Sequence, residues 1–528
     1  MTTSRGTGLG AAKEMSRRDR LWVFSGLMLA GLMSSLDATI LGTALPTIVG
    51  ELGGLDRIAW VSTAYVLATS VTVPLSGRLG DLFGRRAVFL TGLSAFLAGS
   101  AACGAAPSME WLIAFRGVQG AGAGCLMASM FALTGDLFEP RERARYQGYS
   151  AINFAVSSLA GPVIGGFLTE HVSWRWVFYV NLPLGTVAAV TVLLFLRLPR
   201  PGGRPRVDCT GIVLLGAAVT CFTLLTSWAG TRYGWTDRVI LGLAAGTAVL
   251  LVLWGLAERR AAEPVIPLSL FRSRSYAVAC VVALVGGATG FGLAMYLPLF
   301  FQIVGGVGAT GSGLLLLPMM IGLLVASMGA GRYIHATGRY HRLPAAGMAI
   351  SAVGIGLLAT MTTGTGLFTA GLYMAVLGFG AGLSQQVVML VAQQAAPKKD
   401  LGAAGSGVFA TRMVGTATGM AVFGGVLAAR FAEEIAARVP AGAVSAYDGP
   451  APNDLASNDL AYDDAVRPEF LRTLPQSVQD GVAEACAEAF QVLFLTALPL
   501  VLAGLAAALL LKNVPLTSPP GAKAGTGR

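Results

Sequence analysis

The chain of 528 residues is 54% hydrophobic and only 12% charged, with 70 glycines and a formal net charge of +10. Soluble proteins carry about 25% charged residues, so a soluble fold would lack the charge to cover its own surface. Apolar residues run in long blocks without heptads, which excludes disorder, a collagen repeat and a coiled coil and leaves an all-α integral membrane protein.

A helix needs about 20 apolar residues to cross the hydrocarbon core. A tail at 1–20 leads into a first span at 21–45, too long and too polar at Asp37 for a cleaved signal peptide. Spans at 58–76, 87–105, 110–132, 147–168 and 175–196 complete a six-helix bundle over residues 21–197. Residues 198–275 form a linker holding spans 7 and 8, at 210–228 and 238–256. A second bundle at 276–428 has spans 276–303, 312–331, 343–361, 367–390 and 403–427. An acidic loop at 429–487, opening on a short surface helix from Arg430 to Val439, precedes span 14 at 489–511 (segment 488–512) and a tail at 513–528.

Basic residues recur in short clusters between the apolar blocks, so the net charge is not a nucleic-acid footprint. Placing both termini in the cytoplasm puts most of them inside, including Arg78, Arg85, Arg86, Arg141, Arg143, Arg145, Arg259, Arg260, Lys398 and Lys399. The positive-inside rule favours that orientation in a bacterial plasma membrane and leaves the 429–487 loop outside. Six scattered cysteines without a CxxC pair give neither a disulfide framework nor a zinc site.

An internal repeat divides the chain. Gly77-Arg78 and Gly84-Arg85 recur as Gly331-Arg332 and Gly338-Arg339, Gly120, Gly122 and Gly124 as Gly378, Gly380 and Gly382, and Gly165-Gly166 as Gly424-Gly425. Two parallel six-helix halves, spans 1–6 and 9–14, with spans 7 and 8 inserted between them, match a transporter plan built around a midplane site.

Asp37 is the acidic side chain set deep within a span, where insertion costs at least about 2.5–3.5 kcal/mol and such a group normally faces a cavity. Removal from water favours the neutral carboxyl, so a residue in this setting can bind and release protons. Arg116 in span 4 is the complementary charge at similar depth, and Gln119 lies one turn on. Between spans 2 and 3, Gly77, Arg78, Asp81, Gly84, Arg85 and Arg86 make a loop whose acid sits near helix ends able to hold it, a candidate conformational latch. In the second copy His335 replaces Asp81, so that latch is degenerate. Gly161, Pro162, Gly165 and Gly166 in span 5 allow close packing and a kink. Arg412 in span 13 is the other intramembrane cation, and Tyr65, Asn153, Gln302, Gln385 and Gln386 are further polar residues on apolar spans. With Gln119 and Arg412 these are candidate cavity residues, each equally able to serve as an interhelical hydrogen bond. No GxxxxGK[ST] phosphate loop, DKTG or HExxH occurs, so the expectation is a transporter driven by an ion gradient, not an enzyme, with no cofactor or metal.

Leu36-Asp37-Ala38-Thr39 through Ala44-Leu45-Pro46, the loop from Gly77 to Arg86, Arg116 with Gln119-Gly120, and Gly161-Pro162-Val163-Ile164-Gly165-Gly166 resemble the signature motifs of the major facilitator superfamily. The run from Trp174 to Pro183 and that from Tyr296 to Gln302 resemble its 14-helix drug:H⁺ antiporter family, of the EmrB/QacA type. The resemblance covers about residues 20–427 and span 14. It implies two six-helix bundles plus two inserted helices, and efflux of amphipathic drugs or antibiotics by alternating access against proton entry. Asp37 matches the family's membrane acid, Asp81 its loop acid and Arg116 its span-4 arginine, while no further acid lies deep in the second half. The expected partners are a small amphipathic substrate, protons and the bilayer, acting on a monomer. The other readings are a membrane receptor or scaffold working through the outer loop, and a proton-coupled metabolite importer.

Overall fold

The structure is a computed structural model describing residues 15–53, 57–197, 208–229, 233–261, 263–397, 400–438 and 475–511. Residues 1–14 of the N-terminal tail, the C-terminal tail, Lys398, Lys399 and most of the acidic loop lie outside the described residues.

Each expected span is helical. In the first half they are α1 (Arg17–Leu52), α2 (Ile58–Phe83), α3 (Arg85–Gly104), α4 (Met109–Leu137), α5 (Pro140–His171) and α6 (Trp176–Tyr179 with Asn181–Phe195). The inserted pair is α7 (Cys209–Trp228) and α8 (Arg238–Glu258). The second half has α9 (Arg274–Gly286, a π-helical stretch Gly287–Gly292 and Leu297–Ile303), α10 (Ala309–Leu314 with Leu317–Thr337), α11 (Leu343–Leu358), α12 (Leu367–Ala395), α13 (Leu401–Arg438) and α14 (Gln476–Leu509). Eleven are long and apolar enough to cross a membrane on length and composition alone. Helices are the expected answer in hydrocarbon, where every backbone N–H and C=O must be satisfied within its own segment.

The ends of α13 and α14 differ from expectation. No separate surface helix begins at Arg430; α13 runs on to Arg438, and α14 starts at Gln476. The extensions pack through Phe431, Ile435, Val478 and Val482, all in the second-half core. Arg438 pairs with Glu434 on its own helix and with Glu488 of α14 at 2.6 Å. An acidic composition read as a solvated loop is here partly a pair of helix ends neutralised by one arginine.

The repeat is visible in the packing. In the first half α1 lies on α5 and α6, and α2 and α3 lie on α4; in the second, α9 lies on α13, and α10 and α11 lie on α12. The glycine ladder explains these contacts. A Cβ on Gly124 would come 2.8 Å from the Thr69 carbonyl of α2, and one on Gly122 would come 2.7 Å from the Gly92 carbonyl of α3. Their counterparts Gly382 and Gly380 meet Leu323 of α10 and Ser351 of α11 in the same way. Small residues here let backbones touch where lipid offers no hydrophobic drive for helix association. The loop glycines match too, Gly84 at φ 96° and Gly338 at φ 70°, both in the left-handed region that admits glycine cheaply.

The halves meet crosswise, α2 against α13 and α5 against α10. The inserted helices pair with each other, and α7 also lies along α2 and α13 at the seam. Leu241, Val249 and Val252 leave one face of α8 apolar and exposed, as a lipid-facing surface requires.

Candidate functional site

Three features occupy the seam and the first bundle: a buried charge network, a sealed end and a cavity. The network centres on Asp37, which is 1% exposed, as is Arg116. Arg116 Nη1 donates to Asp37 Oδ2 at 2.6 Å, while Asp37 Oδ1 accepts from Gln119 Nε2 at 2.7 Å and from Asn181 Nδ2 at 3.0 Å. Both amides also donate to Ser100 Oγ, which itself donates to the Phe178 carbonyl at 2.8 Å. Arg116 Nε donates to the Val61 carbonyl at 3.2 Å, and its guanidinium lies 4.2 Å from the centre of the Tyr65 ring. Both oxygens of Asp37 are thus occupied by donors from α4 and α6, the condition under which a buried ion pair is tolerated.

The placement differs from expectation. Asp37 does not line the cavity; it is enclosed within the first bundle. Tyr65 and Gln119, read as cavity candidates, belong to this network instead. Ser100 and Asn181 are the members sequence reasoning missed. Asn181 stands in the Trp174–Pro183 run, and a lone amide on an otherwise apolar helix was the signal available.

Packing around Asp37 is set by α5. The hydroxyl of Thr39 donates to the Ser157 carbonyl at 2.9 Å. A Cβ on Gly161 would overlap Thr39, and one on Gly165 would come within 2.6 Å of the Ile40 carbonyl. Gly161 and Gly165 therefore let α5 press against α1 beside the carboxylate. Gly166 faces open space, so packing does not require it, and α5 continues as one helix through Pro162.

At the arginine-rich end the halves are sealed. Asp81, in the polar last turn of α2 beyond the apolar span, accepts backbone N–H groups of Gly402 (3.2 Å) and Ala403 (3.0 Å) at the start of α13. Arg85 holds the same carboxylate at 2.7 Å and pairs with Asp136 at 3.0 Å. Burial pushes Asp81 up to about 6, against the pull of Arg85 and the two N–H groups. Arg78 pairs with Asp400 at 2.9 Å and with Glu263 in the segment after α8. Arg86 donates to the Leu193 carbonyl at 3.0 Å and stays within its own half. On the other seam Arg143 and Gln147 donate to Gln393 at 3.2 and 3.1 Å, and Gln393 donates to the Phe131 carbonyl at 3.2 Å. Asp400, Glu263, Asp136, Gln147 and Gln393 were not singled out in the sequence; their roles depend on which helix end lies opposite. His335, the counterpart of Asp81, is exposed. The start of α5 that it would face carries Pro140, which lacks an N–H to offer.

Above this seal a cavity of about 350 Å³ lies between the halves. Gly31, Ser35, Val66, Asn153, Phe291 and Arg412 sample its walls. The inserted α7, read from the sequence as span 7, contributes Val219, Phe222 and Thr223, so it closes one side of the site. Of the cavity candidates, Asn153, Gln385, Gln386 and Arg412 line it. Gln302 does not; it donates to Ser312 at 2.9 Å between α9 and α10. Among the described residues no cluster of His, Cys, Asp or Glu has the makings of a metal site.

A family model, Major Facilitator Superfamily, matches residues 27–420. Multidrug transporter protein MdtP of Bacillus subtilis is 36% identical over 419 residues, covering 79% of this chain and 77% of its own. Multidrug resistance protein 3 of the same organism is 32% identical over 493 residues, covering 93% and 94%. An MFS-type transporter of Mycobacterium tuberculosis is 38% identical over 499 residues, covering 94% and 70%. Among solved structures the fold is shared with the human organic anion transporter MFSD10 (TM-score 0.57, 15% identity, 91% of this chain and 99% of that one) and the proton:xylose symporter XylE (0.54, 14%, 77% and 88%). Paired six-helix halves, a cavity at their seam and these matches have one conclusion: the chain belongs to the major facilitator superfamily, a family of secondary transporters and not of enzymes.

Proposed function

We propose that this protein exports amphipathic drugs in exchange for protons by alternating access, with Asp37 as the coupling carboxylate. Two relatives, one named a multidrug transporter and one a multidrug resistance protein, support the efflux of drugs. The observation that carries the coupling role is the pairing of Asp37 with Arg116 at 2.6 Å in a site closed to water. Protonating Asp37 cancels that ion pair and frees Arg116, so one proton changes the contacts among α1, α4 and α6 at once.

The change has a short route to the cavity. Ser34 and Tyr65 bond to each other at 3.2 Å beneath Arg116, and the residues that follow them, Ser35 and Val66, line the cavity wall. With the arginine-rich end in the cytoplasm, as the loop charges favour, a seal at that end fits the outward-facing state of the cycle. In that state drug leaves and a proton reaches Asp37. Release of Asp81 from α13 and of Arg78 from Asp400 then opens the cytoplasmic side. A proton entering supplies about 2.3 kcal/mol per 100 mV and about 1.4 kcal/mol per pH unit.

The test is drug-induced proton movement into proteoliposomes loaded with a pH-sensitive dye. Wild type moves protons when drug is added, and Asp37→Asn binds drug but moves none. An Asp37→Asn variant that couples like wild type overturns the assignment.

A further inference from the structure

The cavity holds a cation that the coupling scheme leaves unused. Arg412, on α13, is backed closely by α9: a Cβ on Gly287, within the π-helical stretch of α9, would overlap the Arg412 carbonyl. π-helical stretches inside α-helices recur at functional sites. The guanidinium offers five N–H donors and stays charged in proteins. Among the described residues it makes one hydrogen bond, to Gln385 Oε1 at 3.3 Å, and lies 4.6 Å from the centre of the Phe409 ring. Among the described residues that line the cavity there is no Asp or Glu.

Two neighbouring amides have a donor to offer as well. Asn153, 6% exposed, and Gln385 both line the cavity, and Asn153 Nδ2 and Gln385 Nε2 are buried without an acceptor. Buried donors are nearly always partnered, and those left open at a cavity wall mark the place of an absent acceptor. Around them Met127, Met130, Phe131, Phe222, Phe291 and Met413 make an adaptable apolar wall.

We propose that the cavity selects amphiphiles with an anionic head group, which Arg412 neutralises while Asn153 and Gln385 donate to its remaining oxygens. The inference rests on the transport reading and adds its substrate class. A carboxylate or sulfonate accepts two parallel bonds from one guanidinium, whereas a quaternary ammonium has nothing to accept and meets a like charge in a low-dielectric site. The transport stoichiometry follows: a monoanion leaving as one proton enters moves two positive charges inward per turnover, and a monocation moves none.

Two dyes with the same xanthene core, anionic fluorescein and cationic rhodamine 123, test this by equilibrium binding to the purified full chain in detergent. Wild type is expected to bind fluorescein at least about tenfold tighter than rhodamine 123, the scale of a charge-assisted bond. Arg412→Met removes that preference, Arg412→Lys keeps most of it, and Asn153→Leu and Gln385→Leu each weaken fluorescein binding alone. Equal or tighter binding of rhodamine 123, binding of neither dye, or unchanged fluorescein affinity in Arg412→Met with an unaltered melting temperature overturns the proposal. Should Arg412→Met fail to fold, unchanged affinity in both Asn153→Leu and Gln385→Leu overturns it equally. Efflux is read separately in proteoliposomes. Anion-selective binding without dye movement leaves this inference standing and removes the efflux reading, whereas cation efflux indifferent to Arg412 does the opposite.

Discussion

Two arginines lie within the membrane part of this molecule, one in each half, and their surroundings are opposite. Arg116 is 1% exposed and charge-paired: it meets a carboxylate at 2.6 Å, a glutamine, a backbone carbonyl and an aromatic ring. Arg412 opens on a cavity and has one glutamine and one ring. The repeat relates the two halves in backbone and glycine packing but not in charge. On the proposed reading the paired cation belongs to an internal equilibrium that a proton tips, and the one without a carboxylate takes its partner from the substrate.

The sharpest way to break this comparison is stability. Arg116→Met strands the Asp37 carboxylate in the bundle interior and is expected to cost about 3–5 kcal/mol, read as a large fall in melting temperature. Arg412→Met removes a cation with no Asp or Glu among the described residues lining its cavity, so its melting temperature stays level or rises. Equal losses in the two variants would mean that Arg412 has an internal partner and that the contrast is false.

A smaller effect separates neighbouring glycines beside Asp37. Gly161→Ala pushes a methyl into Thr39 and is expected to cost about 1–3 kcal/mol, as overpacking does. Gly166→Ala meets open space and stays within about 0.5 kcal/mol of wild type. Denaturation in one detergent checks both.

The smallest expected effect is a shift of the seal with pH. Asp81, with an ordinary value of 3.8, is pushed up to about 6 when buried against α13. The sealed state therefore takes up a proton more readily than a state in which Asp81 reaches water. Acidification from pH 7 towards 5 favours the seal, and the bias is lost as pH rises through 6. Cross-linking yield between cysteines placed at the ends of α2 and α13 should rise on acidification in wild type and stay flat in Asp81→Asn. A flat wild-type profile would remove Asp81 from the control of this end.

Much of the fold was legible because hydrocarbon imposes it. Fourteen apolar blocks became helices, and the glycine spacing at 120–124 and 378–382 marked the close contacts within each half. Asp37 and Arg116 were legible as a pair of like depth because charge in a membrane is rare. Their contact was not, since it spans 79 residues and depends on how α1 and α4 are rotated. The same blindness hid Asn181 and Ser100, and it left open whether Tyr65, Gln119 and Gln302 face the cavity or bond between helices. A polar residue on an apolar helix can face a neighbour or a void, and periodicity alone does not tell which. At the seal, Asp81 was expected to meet helix ends, but its partners Gly402 and Ala403 are 321 and 322 residues away.

The sequence by itself determined that this chain is a bundle of membrane helices in two related halves, with few internal charges. Those properties follow from local cost, residue by residue, of placing backbone and side chains in lipid. Only the tertiary structure decided that one arginine is neutralised within its bundle and the other is left facing a cavity. That outcome depends on which helix faces meet across the bundle, and a charge is satisfied or stranded by the face it finds.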